Sequence, residues 1–306
     1  MKTVFITGGR GFIGKNLTEK LTAAGYRVLA PSSSELNLLD EQAVDEFMRR
    51  QPVDIIIHAA NKGGGRDTMG MADVVQMNLR MFFNIAKHAC EVEKMIHFGS
   101  GAEYGKHKPI IMASEDDADN ALPLDDYGFY KAVCSRYIQR LDGNIINLRI
   151  FGCYGKYEDY RFKFISNAIV KNLLGLPIVI RQNVFFDYIY IDDLIRMVVW
   201  AMNNETLHKV YNISNGTRID LLTLVELING IASIPSAIEV DNPGLNLEYT
   251  SSNERILKEL TVEFTGHGQA INELYAYYVD NLDSLDLDTV REDVYINKIA
   301  VLKKDV

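Results

Sequence analysis

The first fourteen residues, MKTVFITGGRGFIG, constrain this chain more than any other stretch. Val4, Phe5 and Ile6 make a short apolar run after Lys2, the pattern of a strand buried on both faces. Thr7-Gly8-Gly9-Arg10-Gly11 breaks that run, and helical spacing returns over residues 12–24. Strand, glycine turn and helix in this order make a phosphate cradle. Gly8 permits the tight turn, Gly11 lets backbone approach a pyrophosphate, and Gly14 lets the helix pack close to the strand. Free N–H groups at the helix start, around Phe12 and Ile13, face the diphosphate's charge. A second strand at 26–30 follows at the distance of a βαβ unit, the context that separates this turn from an ordinary glycine triplet.

The alternation continues. Residues 41–50 read as a helix, and 52–57 as a third strand ending in His58-Ala59-Ala60-Asn61. A long apolar-striped helix is expected at 73–92, a fourth strand at 95–98, a helix at 126–141 and a fifth strand at 144–149. This order predicts an α/β fold, a doubly wound parallel sheet of the Rossmann type, over residues 1–155. After Gly155 the pattern is mixed, with helices at 161–174 and 192–202 and short strands at 177–180 and 185–190. Residues 156–306 are therefore expected to form mainly a smaller mixed α/β substrate-binding lobe, with elements near 182–215 interleaved into the first domain. The segment after Leu282 is acidic, then basic, and carries no pattern.

Composition narrows the partners. A formal net charge of −9 without a basic block argues against nucleic acid, so an anionic substrate must meet local cations. Cys90, Cys134 and Cys153 show neither metal-ligand spacing nor a disulfide framework, which fits a reducing cytoplasm and predicts no metal site. Cys153 reads as a packed core residue. The chain enters its first strand at once, with no secretory leader expected, and no apolar run reaches the roughly 20 residues that cross a bilayer.

At the end of the second strand, Pro31 and Ser32 stand where a carboxylate usually holds the adenosine ribose. With no carboxylate to repel a 2′-phosphate and Arg10 close by, NADP is expected over NAD; alternatively Glu35 or Asp40 reaches the ribose. Residues 62–66, Lys-Gly-Gly-Gly-Arg, follow the third strand and should border the ligand crevice, or else form a mobile turn. His58 reads as a satisfied core histidine.

Tyr127 and Lys131 are four apart at a helix start, hence on one face. A phenol with a pKa of about 10 is a reluctant base, and lowering it by about 3 units needs roughly 4 kcal/mol. A nearby ammonium, with the positive ring of an oxidised nicotinamide, favours the phenolate. In the reducing direction the phenol stays protonated and donates to a carbonyl oxygen that Ser100, at a strand end, also binds.

Glycine cradle, His-Ala-Ala strand end, strand-end serine and Tyr-x-x-x-Lys, in this order, resemble the extended short-chain dehydrogenase/reductases of the NAD-dependent epimerase/dehydratase family, which act on nucleotide sugars. The resemblance spans roughly residues 1–260 and implies Ser100, Tyr127 and Lys131 as the catalytic set, with Lys131 also on the nicotinamide ribose. It places Asp40 near the adenine, Ala59 and Ala60 against the cofactor, and Asn78 in the cofactor site. The five-residue frame to Lys131 excludes Tyr130 as the phenol.

Leu36-Asn37-Leu38-Leu39-Asp40, the segment after Ala59 and Ile189-Tyr190-Ile191-Asp192-Asp193-Leu194 look most like the GDP-L-fucose synthase branch. Those enzymes epimerise and then reduce a 4-keto-6-deoxy sugar; Ala102 and Tyr157 stand at the positions of their added cysteine and histidine, so the reducing step is the one expected here. Gly101-Ala102 in place of Asp-Glu argues against dehydration. Phe186 replaces an arginine that grips the substrate diphosphate, a charge for which Arg161, Arg181 and Lys62 are candidates. A reductase using NADPH, a C4 epimerase retaining NAD, and a non-catalytic dinucleotide sensor are the readings carried forward, with a homodimer through helices 73–92 and 127–141 implied by the resemblance.

Overall fold

The computed structural model describes residues 1–64, 68 and 70–299. Its elements run β1 (Thr3–Thr7), α1 (Phe12–Ala23), β2 (Arg27–Leu29), α2 (Glu41–Arg50), β3 (Ile55–His58), α3 (Val74–Ala86) and β4 (Lys94–Ser100). Then come β5 (Ile110–Ala113), α4 (Asp126–Arg140), β6 (Ile145–Ile150), β7 (Gly152–Tyr154), α5 (Phe164–Leu173), β8 (Ile178–Asn183) and β9 (Phe185–Tyr190). The chain continues through α6 (Ile191–Asn203), β10 (Val210–Ile213), β11 (Arg218–Asp220), α7 (Leu221–Ile231), β12 (Ile238–Leu245), β13 (Tyr249–Ser251), α8 (Glu254–Leu257), α9 (His267–Asn281) and α10 (Asp288–Arg291).

Six strands form one parallel sheet in the order β2-β1-β3-β4-β6-β10. Both faces are covered: Val4, Ile6, Ile96 and Leu148 pack toward α1 and α6, while Phe5, Ile56, Met95 and Ile145 pack toward α2, α3 and α4. Alternate residues of each strand thus feed two cores, which is why β1 and β3 read as continuous apolar runs. The order reverses at β1, whose two neighbours β2 and β3 are reached by crossovers in opposite directions, and a crevice opens beyond the carboxyl ends of the strands there.

A second sheet, β11-β9-β13-β5 with β7 alongside β9, and a β8-β12 ribbon build the wall opposite. Two boundaries expected from sequence change. β5 lies between the strand expected at 95–98 and the helix expected at 126–141, and its partner is β13, so a segment before residue 155 belongs to the second sheet. β10 and α6 complete the first sheet and its helix layer. The helix expected at 73–92 ends at Ala86; the amides of His88, Ala89 and Glu91 bond three residues back instead of four, and His88 bridges Asp45 and Glu91. Among the described residues no helix is long and apolar enough to cross a membrane.

Candidate active site

A cleft of about 1420 Å³ runs from the end of β2, over the glycine turn, past Ser100 and Tyr127, to Phe186 and Arg181 on the opposite wall. Its floor is built by close backbone approach. Gly8 has φ +71°, and a Cβ there would lie 2.8 Å from the Ala60 backbone; one at Gly14 would lie 2.2 Å from the Gly8 carbonyl. Turn, α1 and the Ala59-Ala60 strand end therefore pack without side chains between them. A Cβ at Gly11 would meet only the Gly8 carbonyl, at 3.4 Å, so the turn is open toward the cleft. No side chain caps α1, which leaves its first amides and dipole facing that space. Such a cradle fits a diphosphate, and Arg10, Phe12 and Ile13 line it.

The ribose end departs from expectation. Ser32 donates both its amide and its hydroxyl to the Glu35 carboxylate, at 2.7 and 2.6 Å, and those bonds hold the Glu35 pKa below its ordinary value. Arg10 stands 3.8 Å from the same carboxylate. A carboxylate does sit at the end of β2, reached by a turn rather than by the strand itself. Asp40, expected near the adenine, instead caps α2 by accepting from the Ala43 amide at 3.1 Å, and Leu36 to Leu39 form the cleft wall in its place. Asn78, expected in the cofactor site, bonds the Lys62 amide and carbonyl, both at 2.8 Å, and the Val74 carbonyl at 2.7 Å. Its amide clamps the loop and does not line the cleft.

Ser100, Tyr127 and Lys131 come together at the cleft's centre. Ser100 ends β4; its amide donates to Glu103 Oε1 at 3.0 Å, and its Oγ accepts from the Ala102 amide at 3.1 Å. Glu103 in turn accepts from Arg149 Nε at 2.5 Å, a buried ion pair that fixes the strand end from behind. Tyr127 sits in the first turn of α4, which Asp125 caps through the Gly128 amide at 2.9 Å. Ser100 and Tyr127 line the same stretch of the cleft, and the Ser100 side chain works against the burial-driven rise of the Tyr127 pKa. Lys131 Nζ donates to the Phe98 carbonyl at 2.5 Å and lies 5.8 Å from the Tyr127 ring centre. Tyr130 turns away and donates to Asn61.

Burial sets the charges. It pushes Lys131 down to about 8 and Tyr127 above its ordinary value, with Glu103 and Asp125 adding to the rise. In the protein alone desolvation outweighs the other influences on Tyr127, so its phenol is protonated near neutral pH. His58 bonds Thr7 Oγ1 at 2.8 Å and is driven to about 3 by burial, a neutral core histidine. Burial also raises the Cys153 thiol, which leaves it unreactive.

The candidate cations separate. Lys62 lines the cleft. Arg181 does too, but its guanidinium is held by Asp241 at 2.5 Å and the Ile296 carbonyl at 3.0 Å. Arg161 is taken by Asp159, at 2.9 Å through two nitrogens, and stands off the cleft wall. Gly65 and Arg66 lie outside the described residues. Tyr157 donates to Glu19 at 2.6 Å, away from the cleft, and Ala102 is buried. Sequence reasoning missed Lys106, Lys163 and Tyr249, all on the cleft wall. Lys106 and Tyr249 follow no local motif; only Lys163, just before the apolar face of α5, carried a signal as the last cation before a helix. Among the described residues no group of three or more His, Cys, Asp or Glu could hold a metal.

Comparison with known proteins gives the same picture. The model of the NAD dependent epimerase/dehydratase family matches residues 4–214. A GDP-L-fucose synthase of Azorhizobium caulinodans is 34% identical over 108 residues, 34% of each chain. A dTDP-4-dehydro-6-deoxyglucose reductase of Escherichia coli is 29% identical over 259 residues, 74% of this chain and 80% of that protein. Among solved structures, a GDP-L-fucose synthetase from Naegleria fowleri bound to NADP superposes with a TM-score of 0.80 at 17% identity, covering 92% of this chain and 94% of the other. The fold and the family resemblance expected from sequence are therefore borne out, and the chain belongs to the NAD dependent epimerase/dehydratase family.

Proposed function

We propose that this protein is an NAD(P)-dependent reductase of a nucleotide-linked 4-keto-6-deoxy sugar, with NADPH as the preferred reductant. The observation that carries the reading is a half-buried, protonated Tyr127 beside Ser100 and Lys131 at the centre of a cleft that begins in a diphosphate cradle. Gly8, Gly11 and Gly14 with the first amides of α1 would hold the dinucleotide's diphosphate, and Lys131 its nicotinamide ribose. When bound, the reduced nicotinamide supplies the hydride. Ser100 donates a hydrogen bond to the sugar's C4 carbonyl oxygen, and Tyr127 gives that oxygen its proton as negative charge develops there. Lys131 then stabilises the Tyr127 phenolate until it is reprotonated. Lys62, Lys106 and Lys163 supply the local positive charge that an acidic chain needs to hold a nucleotide diphosphate.

The names of the relatives support a nucleotide-sugar substrate. Purified protein should consume NADPH when given dTDP-4-dehydro-6-deoxyglucose or a GDP-linked 4-keto-6-deoxyhexose. Persistence of NADPH with both would reject the reductase.

One observation favours the alternative of a C4 epimerase that retains NAD: Glu35, bonded to Ser32 at the ribose end, is a carboxylate that would oppose a 2′-phosphate. Purified epimerase would carry bound NAD and consume no reductant. We further infer a homodimer, since Phe83 of α3 and Phe129 and Tyr137 of α4 present exposed aromatic surface on adjacent helices. Light scattering at micromolar concentration should give twice the chain mass, and a monomer would reject it.

A further inference from the structure

A second phenol approaches the end of β4 from the opposite sheet. Tyr249 begins β13, where it pairs with Phe186 of β9 and Ile110 of β5. Its ring is wedged against Phe151 at 4.9 Å and Phe186 at 6.0 Å between centres. Its hydroxyl comes so close to Gly101 that a Cβ there would lie 2.4 Å from the phenol oxygen. The same hydroxyl lies beside the Ser100-Gly101 segment, and the Ser100 side chain works against the burial-driven rise of its pKa. Lys106 Nζ stands over both phenols, 5.3 Å from the Tyr127 ring centre and 5.8 Å from that of Tyr249.

A serine hydroxyl has one hydrogen to give and two lone pairs to fill. The Ala102 amide fills one lone pair. We infer that Tyr249 is a positioning residue, which donates its hydroxyl hydrogen to the second lone pair of Ser100 and so leaves the Ser100 hydrogen one direction only, toward Tyr127 and the substrate oxygen. The inference rests on Ser100 and Tyr127 as the reacting pair. Tyr249 can act only as a donor: burial raises its phenol well above the ordinary value, so it stays protonated. Tyr127 is left with its own hydrogen for the substrate, because Ser100 no longer needs it. Gly101 is explained by the same contact, since any larger residue there excludes the hydroxyl.

Tyr249→Phe removes the hydroxyl and keeps the ring against Phe151 and Phe186. With dTDP-4-dehydro-6-deoxyglucose as probe, kcat should fall about tenfold while KM changes less than about twofold, since the lost orientation matters as charge develops on the oxygen. In a Ser100→Ala background the same change should cost nothing further, because Tyr249 acts through Ser100. An unchanged kcat, or an equal loss in both backgrounds, would overturn the inference. Where wild-type protein turns over no probe, the functional reading fails separately and the contact is tested by NMR of tyrosine-labelled protein. A slowly exchanging hydroxyl proton should be present in wild type and Tyr127→Phe, and missing from Tyr249→Phe and Ser100→Ala. Its persistence in Tyr249→Phe, or its absence from wild type, would overturn the inference too.

Discussion

At the scale of single residues, solvation decides the chemistry. Tyr127 and Lys131 are both pushed toward their neutral forms by burial, and only Lys131 is pushed close to the working range, at about 8. The kcat/KM for the sugar nucleotide should therefore decline as pH rises past about 8, where Lys131 loses its proton, and Lys131→Met should remove that limb of the profile. Gly64 has φ +95°, and a Cβ on it would lie 2.3 Å from the Tyr127 ring. Gly64→Ala should lower kcat at least tenfold by displacing the phenol, a cost on the order of 1.4 kcal/mol in the transition state, while NADPH binding measured by fluorescence stays near wild type. Glu158, buried beside Ser166, is raised from 4.5 to about 7 by desolvation. Folded protein thus binds more protons than unfolded between those values, so the stability its neutral form brings is present in acid and lost as pH rises through about 7. Glu158→Gln should leave the melting temperature unchanged near pH 4.5 and raise it at pH 8, by up to roughly 3 kcal/mol of stability. An equal effect at both pH values would contradict that account.

At the scale of elements, caps and turns explain which expectations held. The glycine turn was legible because Gly8 and Gly14 have no room for a Cβ, a constraint written directly into residue type. The trio was legible because Tyr127 and Lys131 share a helix face and Ser100 ends the strand beside it. Asp40 illustrates the opposite case. Its place in the chain marks a helix start as well as a cofactor contact, and hydrogen bonding to the Ala43 amide chose the former. Asp40→Ala should cost about 1 kcal/mol of stability and leave the Kd for NADP unchanged; a large loss of cofactor affinity would restore the earlier expectation. Arg161 and Asn78 are held for a related reason: Asp159 and the Lys62 backbone capture them, and such captures depend on side-chain rotamers that no spacing encodes. β5 escaped notice because its partner β13 is far away in sequence and two of its four residues are exposed. Tyr249 was hidden with it.

At the scale of the whole molecule, the site exists because two sheets face one another across a crevice that the strand order of the first sheet creates. The first sheet supplies the glycine turn, Ser100 and the helix carrying Tyr127; the second supplies Phe186 and Tyr249, with Arg181 on β8 and Lys106 and Lys163 in connecting segments. That division explains why the family could be recognised from sequence while the far wall of the cleft could not. The glycine turn and the Tyr-x-x-x-Lys pair are local in sequence, whereas the far wall gathers side chains from strands that pair over long distances. The central claim is that Tyr127 alone delivers the proton. It is tested most directly by comparing Tyr127→Phe with Tyr130→Phe in NADPH consumption with a 4-keto-6-deoxy sugar nucleotide, after both are shown to bind NADPH. The account predicts at least a hundredfold loss of kcat for Tyr127→Phe and no more than about a threefold loss for Tyr130→Phe. Turnover by Tyr127→Phe at the wild-type rate would contradict it.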